Sequence, residues 1–300
     1  MQAPTQEIAL PELGSCGVSL YVKREDLLFP LLSGNKYRKL KYNLRHAREA
    51  GYDTLLTFGG AYSNHLHATA AAGKRHGLRT IGLVRGEELA QSPLNPTLAA
   101  ARRNGMHLEF LTRERYRQKS SPSFLDALQA RYGRVLILPE GGTNERAIRG
   151  CAEILGPGDR AFSHVCCAVG TGGTLAGLAS AAGPGVQVRG YPAIRAAGLQ
   201  EALRPWIPGE HWTLVGDYHF GGYARIDREL VEFINDFKDR TGVPLDPVYT
   251  GKMLYGILSD IREGKFPQGS RILAIHTGGL QGRAGMNMRL AKKNLPLLRL

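Results

Sequence analysis

Short apolar runs alternate with longer segments of mixed or alanine-rich composition along most of the chain, and Gly, Pro or Asn residues separate them. An apolar run bounded by such residues is typical of a buried strand, and the longer segment between two runs is typical of a helix. The predicted strands are residues 53–58, 79–84, 107–111, 135–138, 164–169, 186–191 and 271–276. The predicted helices are residues 64–76, 94–104, 124–132 and 175–182. This alternation predicts an α/β fold made of two doubly wound, open-sheet lobes.

Length and composition agree with a globular protein. The chain has 300 residues, of which 43% are hydrophobic, which is enough to bury a sizeable core and favours about two domains. No stretch approaches the roughly 18 apolar residues that a membrane span needs, and residues 1–7 show no secretory signal pattern. We therefore expect a cytoplasmic protein. The cysteines lack the paired spacing of a zinc site and are predicted to be reduced, structural thiols.

An excess of basic residues raises the alternative of a nucleic-acid-binding protein. The sequence has 39 Lys and Arg against 26 Asp and Glu, which gives a formal net charge of +13. The cations are spread along the chain, with concentrations at residues 36–48 and 289–293, and no helix-turn-helix, zinc-finger or RNP signature is recognisable. We interpret the charge as a general attraction to anionic substrates, and specific nucleic-acid binding stays a remote alternative.

Lys36 is the first candidate catalytic residue. It follows a Gly-Asn turn in the segment SGNKYRKL, residues 33–40. A lysine amine becomes nucleophilic at neutral pH when nearby cations or burial lower its pKa, and Arg38, Lys39 and Lys41 supply cations in sequence. The hypothesis is that Lys36 holds an aldehyde cofactor as a Schiff base. For this segment alone, a solvated basic helix start is the alternative.

Two glycine-bearing segments follow predicted strands, at the sheet edge where ligands of open α/β folds bind. Ser63 and Asn64 lie at a predicted helix start, where they either cap the helix or face a polar ligand. Gly170 to Thr174 offer successive backbone N–H groups at another helix start, which predicts a cradle for a phosphate group. The spacing fits neither a Walker loop nor a dinucleotide fingerprint, because Leu175 occupies the place of the third glycine. A small phosphate monoester is therefore favoured over a nucleotide.

A third glycine-bearing segment and two histidines complete the candidates. Thr277 ends a predicted strand ahead of two glycines, which allow a flat ligand to approach the backbone while the neutral hydroxyl makes a hydrogen bond. His65 and His67 are two residues apart on a predicted helix, so their side chains diverge. No metal site is predicted.

Six segments, in the same chain order, resemble the fold-type II pyridoxal-phosphate enzymes, in the branch that contains 1-aminocyclopropane-1-carboxylate deaminase and D-cysteine desulfhydrase. They are VKREDL (22–27), SGNKYRKL (33–40), GGAYSNH (59–65), LPEGGTN (138–144), VGTGGTLAGL (169–178) and DPVYTGK (246–252). The resemblance implies pyridoxal 5'-phosphate as the cofactor, held between two tryptophan-synthase-β-like lobes, a small amino-acid substrate and a homodimer. We predict a larger cofactor-binding domain of residues 1–46 and 136–300 and a smaller inserted α/β domain of residues 47–135.

The resemblance also implies roles for individual residues. The implied cofactor-binding residues are Lys36, Asn35, Asn64, Gly170, Thr171, Gly172, Gly173, Thr174 and Thr277. Among them, Lys36 would form the Schiff base, Asn64 would bond the phenolic oxygen and Thr277 would face the ring nitrogen. The implied catalytic residues are Lys36, Ser63, Tyr249 and Tyr223, with Ser63 at the substrate carboxylate or in proton transfer and the two tyrosines flanking the substrate. Helix capping by Ser63 and ordinary packing of Tyr223 remain alternatives.

Two threonines favour one reaction within the family. A neutral hydroxyl at the ring nitrogen leaves the ring a weaker electron sink, which suits elimination of a good β-leaving group. The cyclopropane deaminases carry a glutamate after the tyrosine of their DPVY motif, where this chain has Thr250. We therefore predict a lyase that catalyses D-cysteine desulfhydrase-like β-elimination to pyruvate, ammonia and sulfide. The alternatives are 1-aminocyclopropane-1-carboxylate deaminase, which gives 2-oxobutanoate and ammonia, and another lyase, racemase or dehydratase of the fold.

Overall fold

A computed structural model describes residues 1–29, 32, 34–195 and 197–300. It divides the chain into two compact units. The larger unit comprises Met1–Asn35 and Cys151–Leu300, and the smaller unit comprises Lys36–Gly150. Ser33, the first residue of the segment SGNKYRKL, lies outside the described residues. Every residue predicted to bind the cofactor or to act in catalysis lies within them.

Strands and helices follow one another in the alternation that the sequence predicts. The strands are β1 (Thr5–Ile8), β2 (Ser19–Lys23), β3 (Thr54–Gly59), β4 (Arg79–Arg85), β5 (Met106–Leu111), β6 (Val135–Leu138), β7 (His164–Val169), β8 (Gln187–Pro192), β9 (Trp212–Leu214) and β10 (Arg271–Ile275). The helices are α1 (Pro11–Ser15), α2 (Asn35–Glu49), α3 (Asn64–His76), α4 (Pro96–Arg103), α5 (Arg113–Arg117), α6 (Pro122–Tyr132), α7 (Glu145–Ala152), α8 (Gly173–Ala181), α9 (Leu199–Leu203), α10 (Arg228–Thr241), α11 (Thr250–Arg262) and α12 (Gly282–Ala291). Each predicted strand and helix is present, with ends within two residues of those predicted.

The larger unit contains a six-stranded sheet in the order β1-β2-β10-β7-β8-β9. β1 pairs antiparallel with β2, and the other neighbouring strands are parallel. All residues of β7 (HVCCAV) are buried, as expected for an interior parallel strand. Within β7, Cys166 and Cys167 have no exposed surface, and burial raises the pKa of the Cys166 thiol to about 12. The strand therefore runs from the core directly into the loop that begins at Gly170.

The smaller unit contains a parallel, four-stranded sheet in the order β5-β4-β3-β6. Helix α3 approaches this sheet closely because it presents small residues. Ala70 and Ala72 have no exposed surface, and a Cβ added at Gly73 would lie 2.3 Å from the Thr80 side chain. β3 is buried along its whole length. Its carboxyl end leads into the loop that carries Ser63.

The unit boundaries differ from the predicted domain boundaries. The predicted smaller domain spans residues 47–135, whereas the smaller unit spans Lys36–Gly150. A boundary at residues 135/136 would divide β6 (Val135–Leu138), which pairs along its length with β3. A boundary at residues 46/47 would divide α2 (Asn35–Glu49) near its C-terminal end. The smaller unit therefore includes the whole of β6, through its pairing with β3, and α2 from Lys36 onward.

His164, the first residue of β7, makes the stability of the larger unit sensitive to acid. The side chain is buried, its ring packs edge-to-face on Phe266 with centroids 5.0 Å apart, and its Nδ1 lies 2.9 Å from Ser163 Oγ. Burial, together with the nearby Arg189 guanidinium, lowers the pKa of His164 to about 4. The unfolded chain takes up this proton near pH 6.5, so the contribution to stability is complete above about pH 6.5 and is lost between about pH 6.5 and pH 4.

Replacing His164 by glutamine is therefore expected to flatten the acid side of the stability profile. Between pH 7.5 and pH 4.5, the free energy of unfolding of His164→Gln should fall by about 2 kcal/mol less than that of the wild type. Urea unfolding at the two pH values measures this difference. His107→Gln, at an exposed position of β5, is the matched control. Equal losses in all three proteins would contradict the assignment to His164.

Candidate active site

In the larger unit, Asn35 connects two segments that were predicted to bind the cofactor. Its side-chain Nδ2 donates to Thr174 Oγ1 at 2.9 Å, and its backbone N–H donates to the Thr277 carbonyl at 3.3 Å. The preceding residue, Gly34, has a left-handed φ of 70°, and a Cβ there would lie 2.0 Å from the Thr277 carbonyl oxygen. Only glycine fits this approach. The structure thus brings Asn35, Thr174 and Thr277 together.

The loop between β7 and α8 has the geometry of an anion cradle. Gly172 precedes the helix with a left-handed φ of 82°, and it offers no side chain to cap the first turn of α8. The N–H groups of that turn have no intrahelical acceptors, so they and the helix dipole favour a negatively charged ligand. A Cβ on Gly172 would lie 2.3 Å from Leu203 Cδ2. The Gly170–Thr174 segment therefore fits the phosphate group for which it was predicted.

Tyr249 lies against this loop because Asp246 fixes the start of α11. The Asp246 carboxylate, 1% exposed, accepts hydrogen bonds from the backbone N–H groups of Val248 at 2.9 Å, Tyr249 at 3.1 Å and Thr250 at 2.7 Å. A Cβ built on Gly170 would lie 3.3 Å from both Cε1 and the hydroxyl oxygen of Tyr249. The buried carboxylate thereby holds the Tyr249 ring beside the first residue of the glycine loop.

Tyr223, the second tyrosine predicted to flank the substrate, lies next to Tyr249. The ring of Tyr223 contacts the ring of Tyr249 in an edge-to-face arrangement, with centroids 6.3 Å apart and planes at 67°. Tyr223 is 38% exposed, whereas Tyr249 is half-buried. Edge-to-face pairs are favourable beyond the area they bury. The larger unit therefore presents an aromatic pair next to the anion cradle.

Thr250 has a structural partner. Its side chain has no exposed surface, and its hydroxyl donates to Asp246 Oδ1 at 2.8 Å. A threonine side chain ends at this hydroxyl, so the position after Tyr249 presents no carboxylate. Position 250, on which the choice between the two predicted activities depends, is thus occupied by a short, buried and neutral side chain.

In the smaller unit, Lys36 shares a hydrogen-bond acceptor with a second lysine. Lys36 Nζ donates to the Gly141 carbonyl at 3.3 Å, and Lys39 Nζ donates to the same oxygen at 3.0 Å and to Thr143 Oγ1 at 3.0 Å. Lys39 is one of the cations predicted to act on Lys36, and the shared Gly141 carbonyl places its ammonium close to Lys36 Nζ. A second cation close by favours the neutral, nucleophilic form of a lysine amine.

The Ser-Asn turn lies at the start of α3. Ser63 Oγ accepts the Leu66 backbone N–H at 3.2 Å, so Ser63 is the N-cap of the helix, as the capping alternative predicts. Capping uses the oxygen as an acceptor and leaves the hydroxyl proton available to a further acceptor. Asn64 is the first residue of the helix and is half-buried. The two roles proposed for Ser63 are therefore compatible.

His65 is a residue of this cluster whose importance sequence reasoning missed. It is 1% exposed, and neither ring nitrogen has a hydrogen-bond partner among the described residues. Burial, with the Lys36 and Lys39 ammonium groups nearby, holds its pKa well below the usual value, so the ring is neutral at pH 7. A Cβ on Gly142 would lie 2.6 Å from His65 Cε1. The spacing of His65 from His67 indicates only that the two histidines form no metal pair, and within the described ranges no three His, Cys, Asp or Glu side chains could jointly hold a metal ion.

One known protein family matches the chain over most of its length. A family model described as pyridoxal-phosphate-dependent enzyme matches residues 1–278. The chain belongs to this family. The anion cradle, Asn35 and Thr277 in the larger unit suit such a cofactor, because the uncapped first turn of α8 would offer donors to its phosphate and Asn35 and Thr277 would offer polar groups to its ring.

Individual relatives of this pyridoxal-phosphate-dependent enzyme carry two activity names. The chain is 31% identical to the mitochondrial bifunctional D-cysteine desulfhydrase/1-aminocyclopropane-1-carboxylate deaminase of Arabidopsis thaliana, over 94% of this chain and 77% of that protein. It is also 31% identical to the D-cysteine desulfhydrase of Salmonella schwarzengrund, over 92% of each protein. A crystal structure of a 1-aminocyclopropane-1-carboxylate deaminase homologue superposes with a TM-score of 0.82 at 29% identity, over 97% of this chain and 94% of that one.

These findings confirm several predictions. The fold is the predicted two-lobe, fold-type II α/β fold, the chain is an enzyme of the predicted family, and the cofactor of that family is pyridoxal phosphate. Both predicted activities are those of named relatives. Across the part of the chain that the structure describes, no helix is long and apolar enough to cross a membrane. The roles of single site residues stay predictions.

Proposed function

We propose that this enzyme is a D-cysteine desulfhydrase-like lyase, which converts D-cysteine and water to pyruvate, ammonia and sulfide. The observation that carries the proposal is Thr250, buried and bonded to Asp246, which leaves no carboxylate directly after Tyr249. Thiolate is a good leaving group and departs with little assistance, whereas opening an unactivated cyclopropane ring demands more. The named D-cysteine desulfhydrase of Salmonella supports the same activity.

The residues of each unit have separate tasks toward the cofactor in this proposal. In the larger unit, Gly170 to Thr174 would bind the phosphate through backbone N–H and hydroxyl groups, Asn35 would support the ring edge and Thr277 would face the ring nitrogen. In the smaller unit, Lys36 would be the covalent anchor and Asn64 would bond the phenolic oxygen. When bound, pyridoxal phosphate supplies an electron sink for negative charge at the substrate Cα.

The remaining side chains act on the substrate. Lys36 Nζ, which shares the Gly141 carbonyl with Lys39 Nζ, takes the proton from Cα. Ser63 donates its hydroxyl proton to the substrate carboxylate while its oxygen caps α3. The rings of Tyr223 and Tyr249 flank the substrate and restrict its orientation. Thr277, as a neutral partner, leaves the ring nitrogen less fully protonated than a carboxylate would.

Parallel assays with two substrates test the proposal. Purified holoenzyme is offered D-cysteine or 1-aminocyclopropane-1-carboxylate, with sulfide and pyruvate measured for the first and 2-oxobutanoate for the second. We expect sulfide and pyruvate in equal amounts from D-cysteine, and L-cysteine serves as the stereochemical control. Release of 2-oxobutanoate alone would overturn the proposal and establish the deaminase alternative, which the name of the Arabidopsis relative supports.

Two further parts of the proposal concern the assembly, which rests on the family resemblance, and the location, which rests on the sequence pattern. We propose a homodimer as the assembly and the cytoplasm as the location. Size-exclusion chromatography with light scattering tests the first, and cell fractionation tests the second.

A further inference from the structure

Lys252 is a buried cation that the proposed reaction does not use. It lies in the first turn of α11, three residues after Tyr249, and only 2% of its surface is exposed. Lysines are rarely buried so completely, and a cation in the first turn of a helix is at the unfavourable end of the helix dipole. Burial lowers the pKa of Lys252 to about 8, although the Asp246 and Asp227 carboxylates act in the opposite direction. A buried cation at this position lowers the stability of the fold, and such departures from the usual pattern are expected at residues with a specific role.

The Lys252 ammonium is bonded to the loop that leads to Tyr223. Its Nζ donates to the His219 carbonyl at 2.8 Å and to the Gly222 carbonyl at 2.7 Å. Gly222 directly precedes Tyr223 in the chain. Hydrogen bonds from a charged donor are stronger than those between neutral groups, more so where water is excluded. The ammonium therefore fixes the backbone one residue away from the tyrosine.

This loop has a backbone conformation that needs such a restraint. Phe220 and Ala224 have left-handed φ values of 52° and 53°, which are unfavourable for residues with a Cβ. Gly221 and Gly222 between them also have positive φ, at 81° and 122°. Backbone of this kind persists where surrounding contacts hold it, and such segments cluster at functional sites. The two carbonyl bonds of Lys252 are contacts of that type.

A continuous set of contacts in the larger unit leads from Lys252 to the anion cradle. Lys252 holds Gly222, the Tyr223 ring packs on the Tyr249 ring, and the Tyr249 ring lies over Gly170. Tyr249 is held independently by Asp246 through the start of α11. Tyr223 lies in the loop between β9 and α10, whereas Tyr249 lies at the start of a helix. The position of Tyr223 therefore depends on the loop that Lys252 tethers.

We propose that Lys252 is a positioning residue, which holds Tyr223 in place against Tyr249 by tethering the His219 and Gly222 carbonyls. The inference rests on the proposed function, in which the two tyrosines flank a small amino-acid substrate. Lys252 acts through Tyr223 and takes no part in the chemistry. Its removal should loosen substrate orientation while the cradle for the phosphate stays intact.

The test is the variant Lys252→Met, which keeps the length of the side chain and removes the ammonium. With D-cysteine, we expect kcat/KM to fall about 10- to 100-fold, chiefly through a fall in kcat, because a substrate that is less well oriented reacts more slowly once bound. Affinity for pyridoxal phosphate should stay at the wild-type value. Lys238→Met is the matched control, because the Lys238 ammonium also donates to two backbone carbonyls, those of Arg299 and Leu300. It should leave both quantities unchanged.

A double-mutant cycle separates positioning from a general loss of structure. In the Tyr223→Ala background, Lys252→Met should cause little further loss of kcat/KM, because the group that it positions is already absent. Losses that simply multiply, or a loss of cofactor affinity equal to the loss of kcat/KM, would overturn the proposal. If Lys252→Met does not fold, Lys252→Gln, which retains an N–H donor, replaces it in the same cycle. Wild-type enzyme that releases no sulfide would instead refute the proposed function.

Discussion

Lys36→Ala protein is expected to contain no covalently held cofactor and to release sulfide from D-cysteine at least about 1,000-fold more slowly than the wild type. The substitution removes the amine that would bind the aldehyde and move the Cα proton. The wild-type protein should be yellow and the variant colourless after dialysis. Absorption spectra and sulfide release measure the two effects.

The matched control is Lys41→Ala, which removes another lysine of α2. It should keep both the colour and most of the activity. Borohydride reduction of the wild type followed by peptide mapping gives an independent readout, because the reduced cofactor then stays on the lysine that carried it. A pyridoxyl group found on any lysine other than Lys36 would refute the assignment.

Gly34→Ala is expected to lower both the stability and the cofactor affinity of the enzyme. The added Cβ would lie 2.0 Å from the Thr277 carbonyl oxygen, in a backbone with φ of 70°. The chain must shift to relieve this overlap, and the shift displaces Asn35 from Thr174. We expect a loss of at least about 3 kcal/mol in the free energy of unfolding, since an alanine in left-handed backbone and an overlap with backbone atoms both cost energy.

Gly77→Ala separates these two costs. Gly77 has almost the same φ, 66°, but a Cβ there would meet nothing within 4 Å. This variant should lose only about 1 kcal/mol, the cost of the left-handed backbone alone. Urea unfolding of both variants, with titration of pyridoxal phosphate into the apoproteins, gives the comparison. Equal losses of unfolding free energy in the two variants would show that the overlap with Thr277 does not contribute to the destabilisation.

Local patterns in the sequence were sufficient to predict seven of the ten strands and four of the twelve helices that the structure describes. β6 and β7 begin and end at the predicted residues, as does α3, because each is a run of uniform character between glycine or polar boundaries. Strands β1, β2 and β9 were not predicted. β1 and β9 are short, with four and three residues, and β2 pairs with β10 about 250 positions away in the chain. A local sequence pattern indicates neither feature.

The site residues were predictable where one short motif determines the positions of all the groups involved. Gly172 and Thr174 belong to one strand–loop–helix unit, so their function could be inferred from adjacent residues. The predicted domain boundaries missed the extent of the smaller unit because the pairing of β6 with β3 joins residues about eighty positions apart. His65 and Lys252 were missed for a related reason. Burial that leaves an imidazole without partners, or that ties an ammonium to two carbonyls, is a property of packing and has no local sequence signal.

The interior of β7 has a consequence for an enzyme that produces sulfide. A thiol is oxidised or converted to a persulfide through its thiolate, and it must be reached by the reagent. Cys166 and Cys167 have no exposed surface, and the Cys166 thiol, with a pKa of about 12, stays protonated at neutral pH. The strand that leads to the phosphate cradle therefore carries its sulfur atoms in an inert form. In the proposed reaction, sulfide is released at one end of this strand, and oxidised sulfur species formed later from that sulfide would find the thiols inside the strand buried and protonated.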